Sequence, residues 1–479
     1  MHERRCGMQG LSGVFDEFAD ERGQPRAHYD ALAQSLAAIA EAEIGHRLAQ
    51  IDSALLQRGV TFTVYSDARG TERVLPFDPL PRIIPAREWA HVAAGIEQRV
   101  RALNAFLYDI YHEQRIVFAR KIPAEIVFSS KFYTREMIGI EPQGGVYIHV
   151  SGIDLIRDGS GEYLVLEDNL RTPSGVAYVL ENREILKRTF PQFFRDYTPL
   201  PVDDYPARLR DALTNVAPAG VDDPTIVILT PGIHNSAYFE HALLARRMGV
   251  ELVEGQDLVV HDNIVYMKTT KGLARVDVIY RRVDDDFLDP LYFRPDSALG
   301  AAGIFDSYRA GNVTLANAVG TGVADDKAVY PHVPEMIRYY LGEEPLLPNV
   351  QTFDLTIDSQ RRHVIENLER LVVKRTAASG GYGMLIGPAS TQSEREVFAD
   401  AIEAHPRDFI AQPVIELSSH PTLIESDIAP RRVDLRPFVL YGRKIDCPPA
   451  ALTRVALESG SLVVNSSQGG GSKDTWILC

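Results

Sequence analysis

Oxygen-bearing side chains cluster where an apolar run ends, in the stretch YLVLEDNLRTPSG at residues 163–175. Glu167, Asp168 and Asn169 end the run, and a Pro-Ser-Gly turn follows them. An earlier strand-like run contributes Asp154. Carboxylate and amide oxygens are the ligands that Mg²⁺ prefers, and this ion also retains water and substrate phosphates. The stretch therefore indicates either a metal and nucleotide site or a solvated surface loop.

The turn DGSG at residues 158–161 predicts how the two runs pair as a hairpin. We expect Arg157 to pair with Glu162, so that Asp154 lies opposite Val165. Because side chains alternate along a strand, Asp154, Glu167 and Asn169 share one face, and Asp168 points to the other. Asp154 and Glu167 are then diagonal neighbours, roughly 7–8 Å apart. A polar sheet face explains the residues equally well, and a slip of one residue would turn Asp154 away.

A glycine-rich loop follows a second short apolar run, in LVVKRTAASGGYG at residues 371–383. Lys374 ends the run, and Gly380, Gly381 and Gly383 let backbone N–H groups approach a phosphate. The loop lacks the Gly-Lys-Ser/Thr of a P-loop. Taken alone, such a loop is a weak signal and is more often a plain flexible hairpin loop.

The bulk composition excludes several classes of protein. The chain has 479 residues and a formal charge of -15, so we expect neither a nucleic-acid binder nor an anionic-membrane binder. Three isolated cysteines, no signal-peptide pattern and no apolar run of about 18 residues indicate a cytoplasmic protein. The sequence does not indicate an oligomeric state.

The elements around these motifs predict about three domains or subdomains. Apolar residues at helical spacing cover 27–58 and 88–120, with the strand VTFTVYSD and the Pro-rich LPFDPLPRIIP between them. Residues 146–169 predict a hairpin, with a helix from Gly175 to Lys187 after it. Residues 224–255 read as strand, helix, strand, which predicts a parallel βαβ unit.

Together the motifs resemble the ATP-grasp superfamily. GIDLIRDGSGEYLVLEDNLRTPSG is similar to its metal-binding hairpin, which implies that Asp154, Glu167 and Asn169 hold Mg²⁺. Ser174 and Gly175 would lie where relatives hold a substrate carboxylate with backbone N–H and hydroxyl groups.

Other segments resemble the nucleotide-binding parts of the same superfamily. DDKAVYP, LVVKRTAASGGYG and FIAQPVIEL are similar to its two lysine segments and its adenine-reading strand. The residues that this resemblance assigns to nucleotide binding are Lys327, Lys374, Gly380, Gly381, Gly383, Gln412, Pro413 and Val414. The Asp-x-Arg strand VDLRPFVLYGRKI would direct Arg436 to the phosphates, with Asp434 nearby.

The order of the motifs is permuted, because the metal hairpin precedes the glycine-rich loop. The chain therefore resembles the circularly permuted ATP-grasp proteins, a group similar to glutathionylspermidine synthetase. YRRVDDDFLDP, GNVTLANAVG and VPEMIRYYLGEEP are typical of a broad bacterial family within it. Many relatives have an Arg just before the metal Asp, whereas Ser151-Gly152-Ile153 stands here, so Arg436 or Arg454 would replace that charge. The turn LRTPSG at residues 170–175 follows the hairpin and is named the metal turn. Arg171 lies inside it and is the third catalytic candidate.

The resemblance implies an α/β fold of the circularly permuted ATP-grasp type. We expect an α-rich N-terminal region at 1–135 and a metal-binding fragment at 136–190. A pre-ATP-grasp βαβ domain would follow at 222–325, then a nucleotide lobe at 326–425. Residues 426–479 would return to the metal-binding lobe.

The implied activity is ligation of a small-molecule or peptide acid to an amine, using ATP and one or two Mg²⁺ ions, with Mn²⁺ as a substitute. Alternatives are a nucleotide-binding module without turnover and a small-molecule kinase. Asn235 and Ser236, after the first strand of the βαβ unit, are candidate substrate contacts. Arg281 and Arg282 are candidates for a carboxylate and the three aspartates after Val283 for an amine. The same charges could instead pair with one another on a solvated surface.

Overall fold

The computed structural model describes residues 11, 13–64, 71–377, 383–424, 427–461, 464 and 469–479. Its helices are α1 (Asp30–Ala38), α2 (Glu41–Gln57), α3 (Ala86–Tyr111), α4 (Arg115–Phe118), α5 (Ala124–Phe128), α6 (Val176–Thr189), α7 (Tyr205–Thr214), α8 (Tyr238–Met248), α9 (Ile304–Arg309), α10 (Gly322–Asp325), α11 (Val333–Met336), α12 (Asp358–Glu366) and α13 (Gln392–Ala404). Its strands are β1 (Thr61–Val64), β2 (Thr71–Val74), β3 (Phe77–Ile84), β4 (Val150–Arg157), β5 (Tyr163–Asn169), β6 (Ile226–Leu229), β7 (Glu251–Val253), β8 (Leu258–His261), β9 (Ile264–Thr269), β10 (Gly272–Arg275), β11 (Val278–Arg281), β12 (Thr314–Ala316), β13 (Phe353–Asp354), β14 (Leu371–Arg375), β15 (Leu385–Ile386), β16 (Phe409–Pro413), β17 (Ser419–Ile424), β18 (Asp427–Tyr441), β19 (Ile445–Asp446), β20 (Ala451–Val455) and β21 (Gly471–Ile477).

The largest sheet joins strands from distant parts of the chain in the order β3-β21-β20-β18-β4-β5. Strand β3 comes from the Pro-rich segment, and it lies at the edge of the sheet, where proline is tolerated because one side needs no ladder hydrogen bond. It runs parallel to β21, whereas β4, β5, β18 and β20 are antiparallel to their neighbours. The sheet thus links the N-terminal region to the metal hairpin. The predicted domain boundaries stay a proposal.

The predicted βαβ unit forms a parallel sheet in the order β12-β11-β6-β7. Strands β6 and β7 pair in parallel, with α8 between them in the sequence, which confirms the prediction from the alternating pattern. Strand β11 lies parallel on the other side of β6. The carboxyl ends of β6 and β11 therefore meet at one edge of this sheet.

The segment around the glycine-rich loop forms a small lobe with its own core. Its antiparallel sheet has the order β13-β16-β14-β15, and α12 and α13 pack against it. Val364, Val373, Ile402 and Ala411 are completely buried there. This lobe brings Lys374 of β14 beside Gln412 of β16 through strand pairing.

The two apolar stretches of the N-terminal region, which have helical periodicity throughout, are each divided into two helices in the structure. The apolar stretch 27–58 forms two helices, because Ile39 is extended and separates α1 from α2. The stretch 88–120 forms α3 and the short α4, and α3 is buried along most of its length in the main core. In the described part of the chain, no helix is long and apolar enough to cross a membrane.

Candidate active site

The metal hairpin pairs in a register different from the predicted one. Arg157 pairs with Tyr163, and Asp154 lies directly opposite Glu167, so the prediction that Asp154 opposes Val165 is wrong. One position of the shift is present already at the turn, where Arg157 pairs with Tyr163, and a bulge between Asp154 and Leu155 adds the second because it leaves an extra residue in β5. Directly opposed residues share a face, so Asp154 and Glu167 remain on one side. The opposed Gly152 and Asn169 place Asn169 on the same face.

Asp168 lies on the other face of the hairpin, as its position in the alternation predicts. Arg99 of α3 binds it with two bonds, from Nε to Oδ1 at 2.6 Å and from Nη2 to Oδ2 at 2.7 Å. Both side chains are almost completely buried. Asp168 therefore anchors the hairpin to the N-terminal helices and does not face the site.

Asp154 is held by two arginines from the neighbouring strands. Arg436 of β18 donates from Nε at 2.5 Å and from Nη2 at 2.8 Å, and Arg454 of β20 donates from Nη2 at 2.8 Å. Arg454 also binds Asp434, its direct partner across β18 and β20. Burial opposes ionisation of Asp154, but the two guanidinium groups more than offset it and hold its pKa at about 2. Asp154 therefore fixes both arginines.

Glu167 faces Lys327, which follows α10. Their Oε1 and Nζ atoms are 2.5 Å apart. Burial would raise the pKa of Glu167, but Lys327 lowers it below the usual range, so the carboxylate is ionised. Asn169, on the same face, has a buried side-chain nitrogen with no hydrogen-bond partner among the described residues. Exchanging the oxygen and nitrogen of this amide would put the oxygen, a ligand that Mg²⁺ accepts, at the unpartnered position.

Lys374 lies on the small lobe and donates from Nζ to Oε1 of Gln412 at 2.7 Å. Gln412 in turn donates to Oγ1 of Thr352 at 2.8 Å. Burial, only partly offset by Glu167, lowers the pKa of Lys374 to about 8. Pro413 ends β16, and Val414 follows it. Gly383 is described, with a φ of +68°, whereas the predicted contacts Gly380 and Gly381 lie outside the described residues.

A polar cleft of about 370 Å³ joins the metal hairpin to the parallel sheet. The predicted residues that line it are Glu167, Asn169, Arg171, Ser174, Asn235, Ser236, Arg282, Lys327, Arg436 and Arg454. Lys374 and Gln412 line a smaller adjoining cavity, and both cavities share Glu167 and Lys327. The structure thus brings most of the predicted site residues to two adjoining cavities.

The Pro-Ser-Gly turn leads into α6, and a protein side chain occupies its backbone donors. Gly175 has a φ of +120°, which favours glycine, and its N–H donates to Oε2 of Glu240 at 2.7 Å. Ala177 donates to the same oxygen at 3.0 Å. Glu240 is buried, so in this structure the start of α6 is already bound to an internal carboxylate. The use of Gly175 for a substrate stays a prediction.

The two adjacent arginines after β11 have mainly structural contacts. Arg281 donates to the carbonyl oxygens of Asn317, Val283 and Ala318 and pairs with Asp285 at 2.6 Å. Arg282 lines the cleft, and its Nη1 and Nη2 donate to the carbonyl oxygens of the metal turn at Pro173 and Thr172. Arg282 therefore fixes the turn, and Arg281 fixes the edge of the parallel sheet.

Arg171 is oriented toward the cleft by two neighbours. Its Nε donates to Asp325 at 3.0 Å, and its guanidinium lies over the ring of Phe132, 4.4 Å from the centroid. Within the described part of the chain, no hydrogen bond or ion pair uses its Nη1 or Nη2 atoms. Its side chain is 24% exposed, so the free edge of the guanidinium is accessible.

Sequence reasoning missed Glu240, Asp325 and His241. Glu240 and His241 lie within the predicted helix of the βαβ unit, and nothing in the helical pattern distinguishes them from surface residues. His241 lines the cleft and accepts or donates at Nδ1 with Thr230 at 2.9 Å. Asp325 stands two residues before Lys327, and this proximity was the one available signal. Their roles depend on packing between distant segments.

The residues present fit a magnesium ion through Glu167 and Asn169. Among the described residues, no group of three or more His, Cys, Asp or Glu side chains is arranged to hold a metal. An ionised carboxylate beside an unsatisfied amide nevertheless suits an ion that takes most of its ligands from water and phosphate. Asp154 as a third ligand stays a prediction, because arginines occupy its oxygens here.

Comparison with known proteins identifies the family. The profile of the circularly permuted ATP-grasp type 2 proteins matches residues 81–456. The chain belongs to this family. The permuted ATP-grasp prediction is thereby confirmed, and the mixed α/β architecture with several sheets agrees with it.

Relatives of this permuted ATP-grasp chain include proteins without an assigned activity. An uncharacterized protein of Synechocystis is 54% identical over 97% of each chain. An uncharacterized protein of Mycobacterium tuberculosis is 52% identical, over 99% of this chain and 87% of that protein. A putative glutamate–cysteine ligase of Frankia casuarinae is 44% identical over 97% of this chain. The chain spans only 53% of the Frankia protein, whose name therefore describes a longer molecule.

A solved structure supports the fold of the permuted ATP-grasp chain. The glutathione synthetase-like effector of Globodera pallida, in its apo form, superposes with a TM-score of 0.57. The match covers 92% of this chain and 98% of the effector at 9% identity. At that identity the likeness concerns the fold alone.

Proposed function

We propose that this protein is an ATP- and Mg²⁺-dependent carboxylate–amine ligase. The observation that carries the proposal is the cleft lined by Asn169, Arg171 and the Glu167–Lys327 pair, with Lys374 in the adjoining cavity. Family membership and the ligase name of the Frankia relative support an ATP-dependent ligase in general terms.

The reaction proceeds in two balanced steps. A carboxylate oxygen of the acid attacks the γ-phosphorus of ATP, and the bond to the β,γ-bridging oxygen breaks to release ADP. The nitrogen of an amine then attacks the carbonyl carbon of the acyl phosphate, and inorganic phosphate leaves as the amide forms and a proton is lost. Phosphoryl transfer needs positioning and charge neutralisation more than covalent help from the protein. This agrees with the lack of a nucleophile motif in the sequence.

Glu167 and Asn169 would hold the magnesium ion, with Asp154 as the predicted third ligand. When bound, the ion neutralises phosphate charge and orients the γ-phosphate. Lys327 and Lys374 both line the adjoining cavity and would bind phosphate oxygens. Gly380, Gly381 and Gly383 cover the phosphates with backbone N–H groups, and the backbone at Gln412, Pro413 and Val414 reads adenine. Since Pro413 lacks an N–H, the donor to adenine would come from Val414.

Three arginines would stabilise the reacting charges. Arg436 and Arg454 line the cleft while Asp154 and Asp434 fix them, so their free donors are preorganised for the charge that develops on the transferred phosphoryl group. Arg171 would bind the acid, because its Nη1 and Nη2 atoms form the planar fork that suits a carboxylate. Ser174, Asn235 and Ser236 would complete the substrate pocket.

The experiment measures ADP release by purified protein with ATP, Mg²⁺ and mixtures of acids and amines, followed by mass spectrometry of the products. Glu167→Ala should lower turnover at least about 100-fold, as removal of a charge-positioning group at the phosphates does. Glu162→Ala is the matched control, because Glu162 is an exposed glutamate on the same hairpin. Unchanged turnover in Glu167→Ala would contradict the proposal.

The products separate the two alternatives. A phosphorylated acid without an amide would identify a kinase. Binding of ADP without turnover of any acid and amine would identify a nucleotide-binding module. An amide together with ADP and phosphate identifies the ligase.

A further inference from the structure

The cleft contains a cation and an anion that are not paired with each other. Toward the described residues, Arg171 donates hydrogen bonds only from Nε and its backbone N–H, both to Asp325. Asp284 lines the same cleft and is exposed, and its side chain has no hydrogen bond or ion pair among the described residues. Two open charges of opposite sign therefore lie in one cavity of about 370 Å³, a volume within the usual range for small-ligand sites.

The two charges line the same cleft but do not form an ion pair. No ion pair within 4.0 Å joins Arg171 to Asp284, whereas one joins Arg171 to Asp325. Asp284 therefore leaves the Nη1 and Nη2 donors of Arg171 unoccupied. A ligand with both charges can satisfy the two groups at once.

We propose that the acid substrate is an α-amino acid, with its carboxylate on Arg171 and its free ammonium group on Asp284. This inference rests on the proposed ligase function, since it names the acid that is activated. Asp284 keeps the ammonium group protonated. The amino group of the bound amino acid therefore does not attack the acyl phosphate of a second amino acid molecule. Arg171 holds the carboxylate beside Asn169 and the metal turn, where the γ-phosphate is expected.

The charges around Arg171 and Asp284 suit a bound acid that carries one positive and one negative charge better than one that carries two negative charges. Asp325 is bound to Arg171, and Glu167 to Lys327, so their charges are already neutralised. Arg282 pairs with Glu240 and with carbonyl oxygens. Among the described residues that line the cleft, Arg171 and Asp284 are thus a complementary pair left open for a ligand. A neutral amine derivative of the acid would leave Asp284 unpaired.

The test is saturation-transfer NMR on the full chain with ADP and Mg²⁺. One sample holds the free protein amino acids, and a second holds the same compounds N-acetylated, which removes the positive charge. We expect at least one free amino acid to bind about fivefold or more tightly than its acetylated form, and added salt to reduce the difference. Asp284→Asn should abolish this preference, and Arg171→Lys should weaken binding of both forms.

Asp286→Asn is the matched control, because Asp286 is exposed two residues away and does not line the cleft. It should retain the preference. Equal binding of free and acetylated forms, or a preference that survives Asp284→Asn, overturns the inference, as does the absence of binding by any amino acid. Amino-acid binding that depends on Asp284 without any ADP release contradicts the ligase proposal alone. ADP release only with acids that lack an amino group contradicts this inference alone.

Discussion

The backbone N–H of Gly175 donates to the carboxylate of Glu240 at 2.7 Å. An internal anion therefore satisfies the start of α6, which is favourable because free N–H groups and the helix dipole both attract negative charge there. Glu240 also lies 3.4 Å from Arg282, which fixes the metal turn. This carboxylate joins the βαβ unit to the metal hairpin.

Glu240→Gln should destabilise the protein by about 1–3 kcal/mol, since it removes a charged acceptor from two buried N–H groups and from Arg282. Chemical denaturation measures the loss, and Glu251→Gln, at an exposed position on β7, is the control. The Michaelis constant for the acid should stay within about twofold among folded molecules, because we propose that the acid binds Arg171 and not the start of α6. A stable variant with a tenfold change in that constant would indicate that the substrate binds at α6.

Asp168 and Glu167 are adjacent in sequence, but substitution of Asp168 should lower mainly the stability and substitution of Glu167 mainly the turnover. Asp168→Asn breaks the buried pair with Arg99 and should cost about 3–5 kcal/mol of stability. Glu167→Gln should cost much less stability and abolish turnover. Denaturation curves and activity per folded molecule separate the two effects. Turnover lost in Asp168→Asn at full stability would contradict the assignment of faces.

Lys374 should give nucleotide binding a dependence on pH. Its pKa of about 8 lies below the ordinary lysine value because burial disfavours the charge. The unfolded chain therefore binds more protons above pH 8, and this group makes stability rise with pH until the ordinary lysine value is reached. Bound phosphates favour the charged form, so ADP binding near pH 8 should take up a fraction of a proton.

Calorimetric titration of ADP and Mg²⁺ in two buffers with different ionisation enthalpies measures this uptake. It should rise from pH 7 to pH 9, toward about one proton. Lys374→Arg keeps its charge throughout this range and should eliminate the uptake. An uptake that persists in this variant would come from another group.

Arg407 connects the small lobe to the body next to the site. It binds Asp326 through Nη2 at 2.6 Å and Nη1 at 3.2 Å, and Nη1 also donates to Thr376 at the base of the glycine-rich loop. Thr376 accepts the backbone N–H of Lys327 at 3.2 Å. Arg407 should therefore position the loop and Lys327 together.

Arg407→Ala should raise the dissociation constant for ADP with Mg²⁺ about tenfold, and Arg407→Lys should restore part of the affinity because it retains the charge but not the fork. Arg361→Ala is the matched control, since Arg361 forms its ion pairs within the small lobe. Thermal unfolding of each variant shows how much of a change in the dissociation constant comes from lost stability. Equal affinities in Arg407→Ala and Arg361→Ala would show that Arg407 has no positioning role.

The sequence determined the local parts of the site. Alternation placed Glu167 and Asn169 on one face and Asp168 on the other, and the observed register keeps this result because the shift opposite Asp154 is two residues, from Val165 to Glu167. The motifs that resemble the superfamily, together with the order of the hairpin and the glycine-rich loop, predicted the permuted family. Strand alternation depends on neighbours a few residues apart, and the order of motifs is given directly by the sequence.

Tertiary structure decided which charges are open and which are occupied. Arg436 binds Asp154 from 282 positions away, Arg99 binds Asp168 from 69, and Glu240 binds Gly175 from 65. A sequence lists these groups without their partners, since each pair forms only when separate sheets and helices pack together. For the same reason, the sequence predicts Arg281 as a ligand contact, but the structure buries it against carbonyl oxygens. Arg171, by contrast, keeps its Nη1 and Nη2 atoms available to the cleft.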